Sequence, residues 1–398
     1  MSQGSDSREA GMRRAMEQFI SSMQAAAKVI QEVPDISPEE RADGYFVLTG
    51  LLHMIAEFSM VNSDLDHPYF MRPEDRFTKE GLDNPDNLYG HARISDQGEY
   101  RITGTRGTAA DLSFQVLAGT PGADGTFGRI VDTIDLHRLA INPDGTYEII
   151  VSARPQAGNW LKSAPGASLV MVRQSLSDWE REVAGGVHIE RIGYEGVPAQ
   201  RATPEQMAAR IEESGALILA KTRCWVDWAA TWSKTSPVNA MSAPAPTQGG
   251  LVGQYTSWGQ FQLSGDEALV IGVKPATARY QGFHLGDLYW GNSFDYRDRQ
   301  TSLSGGQARL GGDGIYHFVI SQEDPAIPNW LDTTGFPRGF LLLRWQGLLG
   351  DPPAQPTAKV IKVANVRGEL SMEPMVSAPQ RRAQLIIRAR AVDRRFGQ

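Results

Sequence analysis

Asp144-Gly145-Thr146-Tyr147, followed by Val151-Ser152 and Asn159-Trp160-Leu161, returns later in the chain as Asp313-Gly314-Ile315-Tyr316, Ile320-Ser321 and Asn329-Trp330-Leu331. The copies lie 169 to 171 residues apart and end near Arg173 and Arg344, so they differ by little more than single insertions. Upstream, Gly98-Glu99-Tyr100-Arg101-Ile102-Thr103-Gly104 aligns with Gly259-Gln260-Phe261-Gln262-Leu263-Ser264-Gly265. Helix starts recur as well: Ser37-Pro38-Glu39-Glu40 and Thr203-Pro204-Glu205-Gln206 both read as capping boxes with Pro at the first helical position. Two long units are too few for a solenoid, so the pattern predicts a tandem, pseudo-symmetric protein with its cleft between or inside the halves.

Around the duplication, short alternating runs broken by Gly, Pro and Asn-Pro-Asp-Gly predict antiparallel strands, among them Tyr100–Thr103, Leu112–Val116, Tyr147–Val151 and Ser168–Val172. The second unit predicts strands at Gly259–Leu263, Ala268–Val273, Phe283–Leu285, Tyr316–Ile320 and Phe340–Trp345. Helical periodicity runs from about Ser7 to Gln31, from the Ser37 cap to about Val61, and from Thr203 to about Ser233. The first of these places Met12, Met16, Phe19, Ile20, Met23, Ala27 and Ile30 on one stripe. The expected fold class is α+β, mainly β: two pseudo-repeated antiparallel β-sandwich or barrel-like units with flanking helices. The expected organisation is an N-terminal helix over 1–35, helix-plus-sandwich repeats over 36–200 and 201–365, and a basic tail over 366–398. A Pro/Gly/Ser-rich stretch from Ser236 to Gly250 reads as a loop or lid, and the tail arginines alternate with apolar residues as in a docked helix or a subunit contact.

At 398 residues, 41% hydrophobic and 21% charged, the chain has the composition of a globular protein with a sizeable core. A net charge of −7 argues against a nucleic-acid partner. The single cysteine, Cys224, rules out an internal disulfide and suits a reducing compartment. The N-terminus carries no basic-then-apolar signal pattern and no window approaches 18 uncharged apolar residues, so a cytoplasmic protein without a membrane partner is expected. The seven histidines show no close pair at ligand spacing, and no bound metal is expected.

Leu303-Ser304-Gly305-Gly306-Gln307 spells the signature peptide of ABC-type ATPases, but the chain has no Gly-Lys dipeptide for the phosphate loop that would complete such a site. A glycine hairpin is the better reading. The densest polar-aromatic run is Phe283 to Arg299. Its Tyr289 and Trp290, with Trp330, could supply flat walls, while His284, Asp295, Tyr296 and Arg297 supply acid, base and anion-binding groups. Structural Asp–Arg pairing and aromatic core filling would use the same residues. Asn329 and Trp330 have counterparts in Asn159 and Trp160, which favours an architectural corner. Trp225, Trp228 and Trp232 share one helical face, either as core or as a cleft wall, and Lys221 one turn earlier could act as a desolvated base.

Asn84-Pro85-Asp86-Asn87-Leu88-Tyr89, Gly158-Asn159-Trp160-Leu161, His188-Ile189-Glu190-Arg191, Asp295-Tyr296-Arg297 and the block from Asp324 to Gly335 resemble the bacterial family carrying domain of unknown function 1214. The resemblance spans roughly Tyr45 to Ala364 and implies a β-rich fold with flanking helices, with no established cofactor and no single reaction. Its setting in bacteria that degrade aromatic compounds suggests a small aromatic substrate. A γ-formaldehyde lyase of lignin-dimer catabolism is one such activity: a base takes the proton of a primary hydroxyl, the C–C bond breaks to release formaldehyde, and an aryl ether leaves from the adjacent carbon. The leading expectation is therefore a cofactor-independent lyase that forms a homodimer. Two alternatives stand beside it: a non-catalytic β-sandwich module binding glycans or hydrophobic ligands, and a subunit-assembly protein.

Overall fold

A computed structural model describes residues 2–247 and 250–397; Gln248 and Gly249, within the expected lid, lie outside the described residues. α1 (Ser2–Gln31) precedes the first repeat, which carries α2 (Pro38–Ala56, extended by a π turn over Glu57–Val61) and strands β1 (Asn87–Arg93), β2 (Tyr100–Thr105), β3 (Asp111–Ala118), β4 (Arg129–Asp135), β5 (Thr146–Ser152), β6 (Trp160–Lys162), β7 (Ala167–Ser175) and β8 (Val187–Arg191). The second carries α3 (Pro204–Thr235), β9 (Ala245–Pro246), β10 (Tyr255–Gln262), β11 (Glu267–Val273), β12 (Ala278–Gly286), β13 (Ser302–Ser304), β14 (Tyr316–Ser321), β15 (Trp330–Asp332), β16 (Arg338–Leu348) and β17 (Thr357–Lys362). A short α4 (Val366–Glu369) and the terminal α5 (Ala378–Phe396) follow.

Sheet order proves the duplication strand by strand. The first half has sheets β1-β7-β3-β4 and β6-β5-β2-β8; the second has β10-β16-β12-β13, with β9 added at its edge, and β15-β14-β11-β17. Each pair of sheets stacks as an open sandwich, not a barrel, around its own apolar core. Phe114, Tyr100, Ile149, Val170 and Val172 fill the first, and Phe283, Phe318, Ile271, Leu343 and Trp345 the second. At roughly 1.5–3 kcal/mol for each fully buried large side chain, these two cores are the main source of stability.

Four expectations are corrected. The pairing is not wholly antiparallel, because β5–β6 and β14–β15 are parallel. Only ten residues separate the paired Ile150 and Trp160, and an indole clamps each return: Trp160 Nε1 donates to the Ser152 carbonyl at 3.0 Å, and Trp330 Nε1 to Ser321 at 3.1 Å. The match of Gly98–Gly104 with Gly259–Gly265 is not structural. Pairing to β5 and β14 makes Tyr100 the counterpart of Leu269, whereas Gly259 lies in β10, the counterpart of β1. Gly259 serves a different need, since a Cβ there would stand 1.9 Å from the Ala240 carbonyl oxygen. On α1 the expected stripe holds at Ile30, which is buried, and at the half-buried Met12, Phe19, Met23 and Ala27, but Met16 and Ile20 are exposed, and Ala15 and Ala26 are buried in addition. Finally, Pro38–Val61 is long and apolar enough to cross a membrane by length and composition, but here it packs Leu48, Leu51, Met54, Ile55 and Phe58 into the protein.

Both predicted capping boxes form, at Ser37 and Thr203. The basic tail is docked within its own chain: Arg381 pairs with Asp324 at 2.9 Å, and Arg388 donates to the Tyr296 and Ser302 carbonyls at 2.5 and 3.0 Å. The Leu303–Gln307 stretch is β13 and a turn, held against the first repeat by a bond from Gly306 N to Ser177 Oγ at 2.9 Å.

Candidate active site between the repeats

Strand alternation sends Val170 and Val172 into the first core and leaves Met171 and Arg173 on the other face of β7. In β16 the same rule buries Leu341 and Leu343 and turns Leu342 and Arg344 outward from that core. The two outward faces meet a cavity of about 340 Å³ between the halves. Register makes the equivalence residue-specific. Arg173 opposes Tyr89 and Arg344 opposes Thr256, while Gln115 and His284 occupy matching places on β3 and β12. Ser175 Oγ donates to Gln346 Oε1 at 2.8 Å, joining counterpart positions of β7 and β16 directly.

One wall of the cavity is aromatic. Trp228 and Trp232 stack at 5.7 Å between centroids, and Trp225 meets Trp228 edge-on at 6.2 Å. Trp225 lies flat on the backbone of Gly81, whose φ is +47°; a Cβ there would fall 1.9 Å from the indole ring. Glycine is required at that position by both conformation and space.

The rest of the lining is largely polar, with Glu74, Glu80, Asp83, His91, Arg173 and Arg344 its titratable or charged members beside Tyr89. Glu74 faces the cavity with its Oε2 lacking any hydrogen-bond partner. Burial, reinforced by Asp83 and Glu80, pushes its carboxyl well above the ordinary range against the pull of Arg173 and Arg344. Burial also raises the Tyr89 phenol, with Glu74 adding to the effect. His91, with Nε2 unpartnered, is held neutral: burial, then the charges of Lys221 and Arg173, push it down to about 3. Because an unfolded histidine titrates near 6.5, the unfolded chain binds a proton that the folded protein refuses between those values. Stability is therefore expected to fall as pH drops from about 6.5 toward 3, by up to about 1.4 kcal/mol per unit from this residue. His91→Gln should flatten that slope in urea unfolding at pH 7, 6 and 5; an unchanged slope would refute the assignment.

Of the residues predicted from sequence, Trp225 lines the cavity, and Lys221 and His284 stand behind it. Lys221 donates to Glu80 Oε1 and to the Pro121 carbonyl, each at 2.5 Å, in a buried ion pair, which removes it as a free base. Arg344 approaches His284 at 3.0 Å, and burial together with that guanidinium keeps the imidazole well below its usual value. His284 is thus a neutral support for Arg344, as Gln115 is for Arg173.

The others are placed elsewhere. Asp295 is exposed and caps a turn by accepting from Arg297 N at 2.9 Å, beside a second, more open cavity. Arg297 forks onto Asp393 at 2.6 and 2.7 Å. Tyr296 is buried edge-on to Trp179 under α5. Trp290 is core, its Nε1 donating to the Glu40 carbonyl at 2.8 Å, and Tyr289 lies under Arg338 at 4.9 Å. Asn329 exchanges bonds with the Arg309 backbone at 2.7 and 2.8 Å, as Asn159 does with Ala140, so both are corner pieces, and Trp330 clamps the adjoining return. The sequence reading missed Glu74, His91 and Gln115. The available signal was an arginine following an apolar run within a strand in both copies, Arg173 and Arg344. Among the described residues no three His, Cys, Asp or Glu side chains are grouped to hold a metal ion.

Fold and cavity together define a two-repeat β-sandwich protein with a cavity at the junction. A crystal structure of an uncharacterized protein from Burkholderia cenocepacia matches with a TM-score of 0.81 and 32% identity, over 88% of this chain and 98% of that one. The chain belongs to the same family as that protein. The VPA0106 protein from Vibrio parahaemolyticus matches with a TM-score of 0.43 and 12% identity, over 80% and 98% of the respective chains. No protein-family model and no curated protein matches the chain.

Proposed function

We propose that the protein is an enzyme that performs proton transfer on a hydrophobic aromatic molecule bound between its repeats. One observation carries the reading: Glu74, a carboxyl with a free oxygen and a strongly raised proton affinity, shares an enclosed cavity with Trp225, Trp228 and Trp232. Carboxyls tuned upward by burial are suited to general acid–base work near neutral pH. The tryptophans supply flat walls that would hold a ring in register with Glu74. Tyr89 adds a hydroxyl from β1 on the same side.

The particular reaction proposed is carbon–carbon lysis of an aryl alcohol. Glu74 takes the hydroxyl proton, the oxygen's electron pair forms the C=O of formaldehyde, the C–C pair forms a double bond to the neighbouring carbon, and that carbon's C–O pair leaves on the aryl oxygen, which takes the proton back from Glu74. Resemblance to the domain of unknown function 1214 family supports the aromatic setting, and the free thiol Cys224 suits action in the cytoplasm. The test is incubation of the purified protein with phenolic diaryl alcohols, read by mass spectrometry and a formaldehyde assay. Formaldehyde in step with aryl product is the expected result. Thermal stabilisation by the same compounds without product would instead favour the non-catalytic binding module.

A further inference from the structure

The two arginines of the cavity have no evident reason to be there if the ligand is only an apolar ring and a hydroxyl. Each lies within a buried strand, each is at the counterpart position of the other, and both face the same cavity. Among the described residues, no carboxylate lies within ion-pair distance of either guanidinium. Their hydrogen-bond partners are neutral: Gln115 Oε1 for Arg173, and the His284 ring with the Leu82 carbonyl for Arg344. Those partners fix the direction of each guanidinium and leave its charge uncompensated.

The nearby acids do not fill that role. Glu80 is taken by Lys221 at 2.5 Å and by Trp225 Nε1 at 3.1 Å. Asp83 accepts from Ser293 N and Oγ at 2.7 and 2.5 Å. Glu74 is driven toward its neutral form. Burial first, and the charge of Arg344 after it, pull Arg173 down, while Tyr89 and Glu74 pull it the other way, so the two cations feel one another across the cavity. Two like charges in a low-dielectric space, each with donors to spare, constitute a site that lacks its anion.

We propose that the ligand of this cavity is an aromatic carboxylate, its carboxylate held by Arg173 and Arg344 and its ring against the Trp225–Trp228–Trp232 wall. The inference rests on the reading of the cavity as an aromatic-ligand site and adds the charge of the ligand. A planar monoanion fits better than a phosphate dianion, because Asp83 and Glu80 stand at the same cavity and guanidinium forks match carboxylate geometry. Gln115 and His284 are then positioning residues, acting on the ligand only through the arginines.

The experiment is calorimetric titration of the full chain with 2-naphthoate and with the matching neutral alcohol, 2-naphthylmethanol. Naphthoate is expected to bind tighter by about tenfold or more, the usual worth of one charge-assisted pair. Arg173→Met and Arg344→Met should each weaken naphthoate by about tenfold while leaving the alcohol within about threefold. Arg173→Lys and Arg344→Lys, which keep the charge and disturb folding least, should give intermediate losses confined to naphthoate. Equal or tighter binding of the alcohol by the unmodified protein would overturn the carboxylate assignment and leave the aromatic site standing. Equal weakening of both probes by the Lys variants would overturn it as well. Binding of neither probe would remove the aromatic-site reading and this inference with it.

Discussion

Glu74→Gln is expected to lower kcat by about 10²–10⁴-fold, the range lost with a general acid–base group. Glutamine keeps the shape and gives up the exchangeable proton, so KM should move little. Stability should not fall. A carboxyl whose proton affinity is raised by folding weakens the native state as pH climbs above the unfolded value near 4.5, and the amide removes that penalty. The variant should therefore melt at or above the parent temperature at pH 8 and show no advantage at pH 4. In the parent protein, the proposed activity, limited by Glu74 as base, should rise with pH through its elevated titration. An unchanged kcat in Glu74→Gln, with a folded protein, would end the assignment.

Lys221→Met is expected to destabilise the fold by about 3–5 kcal/mol, because it leaves the Glu80 carboxylate buried with only the Trp225 indole donating to it. The Pro121 carbonyl loses its donor as well. The double variant Lys221→Met/Glu80→Gln should recover most of the loss, since the cost lies in the orphaned charge and not in the missing pair. Urea unfolding of the four members of the cycle measures this. The catalytic rate per folded molecule should stay within about threefold of the parent in the single variant, a difference of under 1 kcal/mol. A collapse in kcat without loss of stability would restore Lys221 to the role of base.

The fold was legible because its signals are local and occur twice. Asn159 and Asn329 close equivalent turns, Trp160 and Trp330 clamp equivalent returns, and the Ser37 and Thr203 caps start equivalent helices. Edges were harder. The parallel β6 and β15 are three residues long, too short for any periodicity to mark them. Glycine spacing misled where Gly259 answers a close approach of the Ala240 carbonyl that no local pattern encodes.

The site was much less legible, for a physical reason. A dense run of polar and aromatic residues draws attention, yet Asp295 and Arg297 are engaged in turn-capping and in pairing with α5, while Trp290 and Tyr296 are packing. The cavity is assembled from single residues on distant segments: Glu74 from a loop, Tyr89 and His91 from β1, Arg173 and Arg344 from within buried strands. Chemistry that depends on enclosure leaves its trace in which face a residue takes, and that is set by register across sheets. Trp225 was recognisable only because its helix repeats a bulky ring on one face.

The Ser175–Gln346 contact between counterpart strands has a consequence for how such a pocket can diversify. In a symmetric pair of separate chains, every substitution beside the pocket arrives twice and the two walls stay alike. With both copies on one polypeptide, each wall can drift alone. Tyr89 stands where the other copy has Thr256, and His91 where it has Trp258, so a hydroxyl-bearing ring and an imidazole line one side and a small alcohol and an indole the other. Covalent linkage leaves the two walls of one vessel unequal, with the arginines still matched and the residues beside them different.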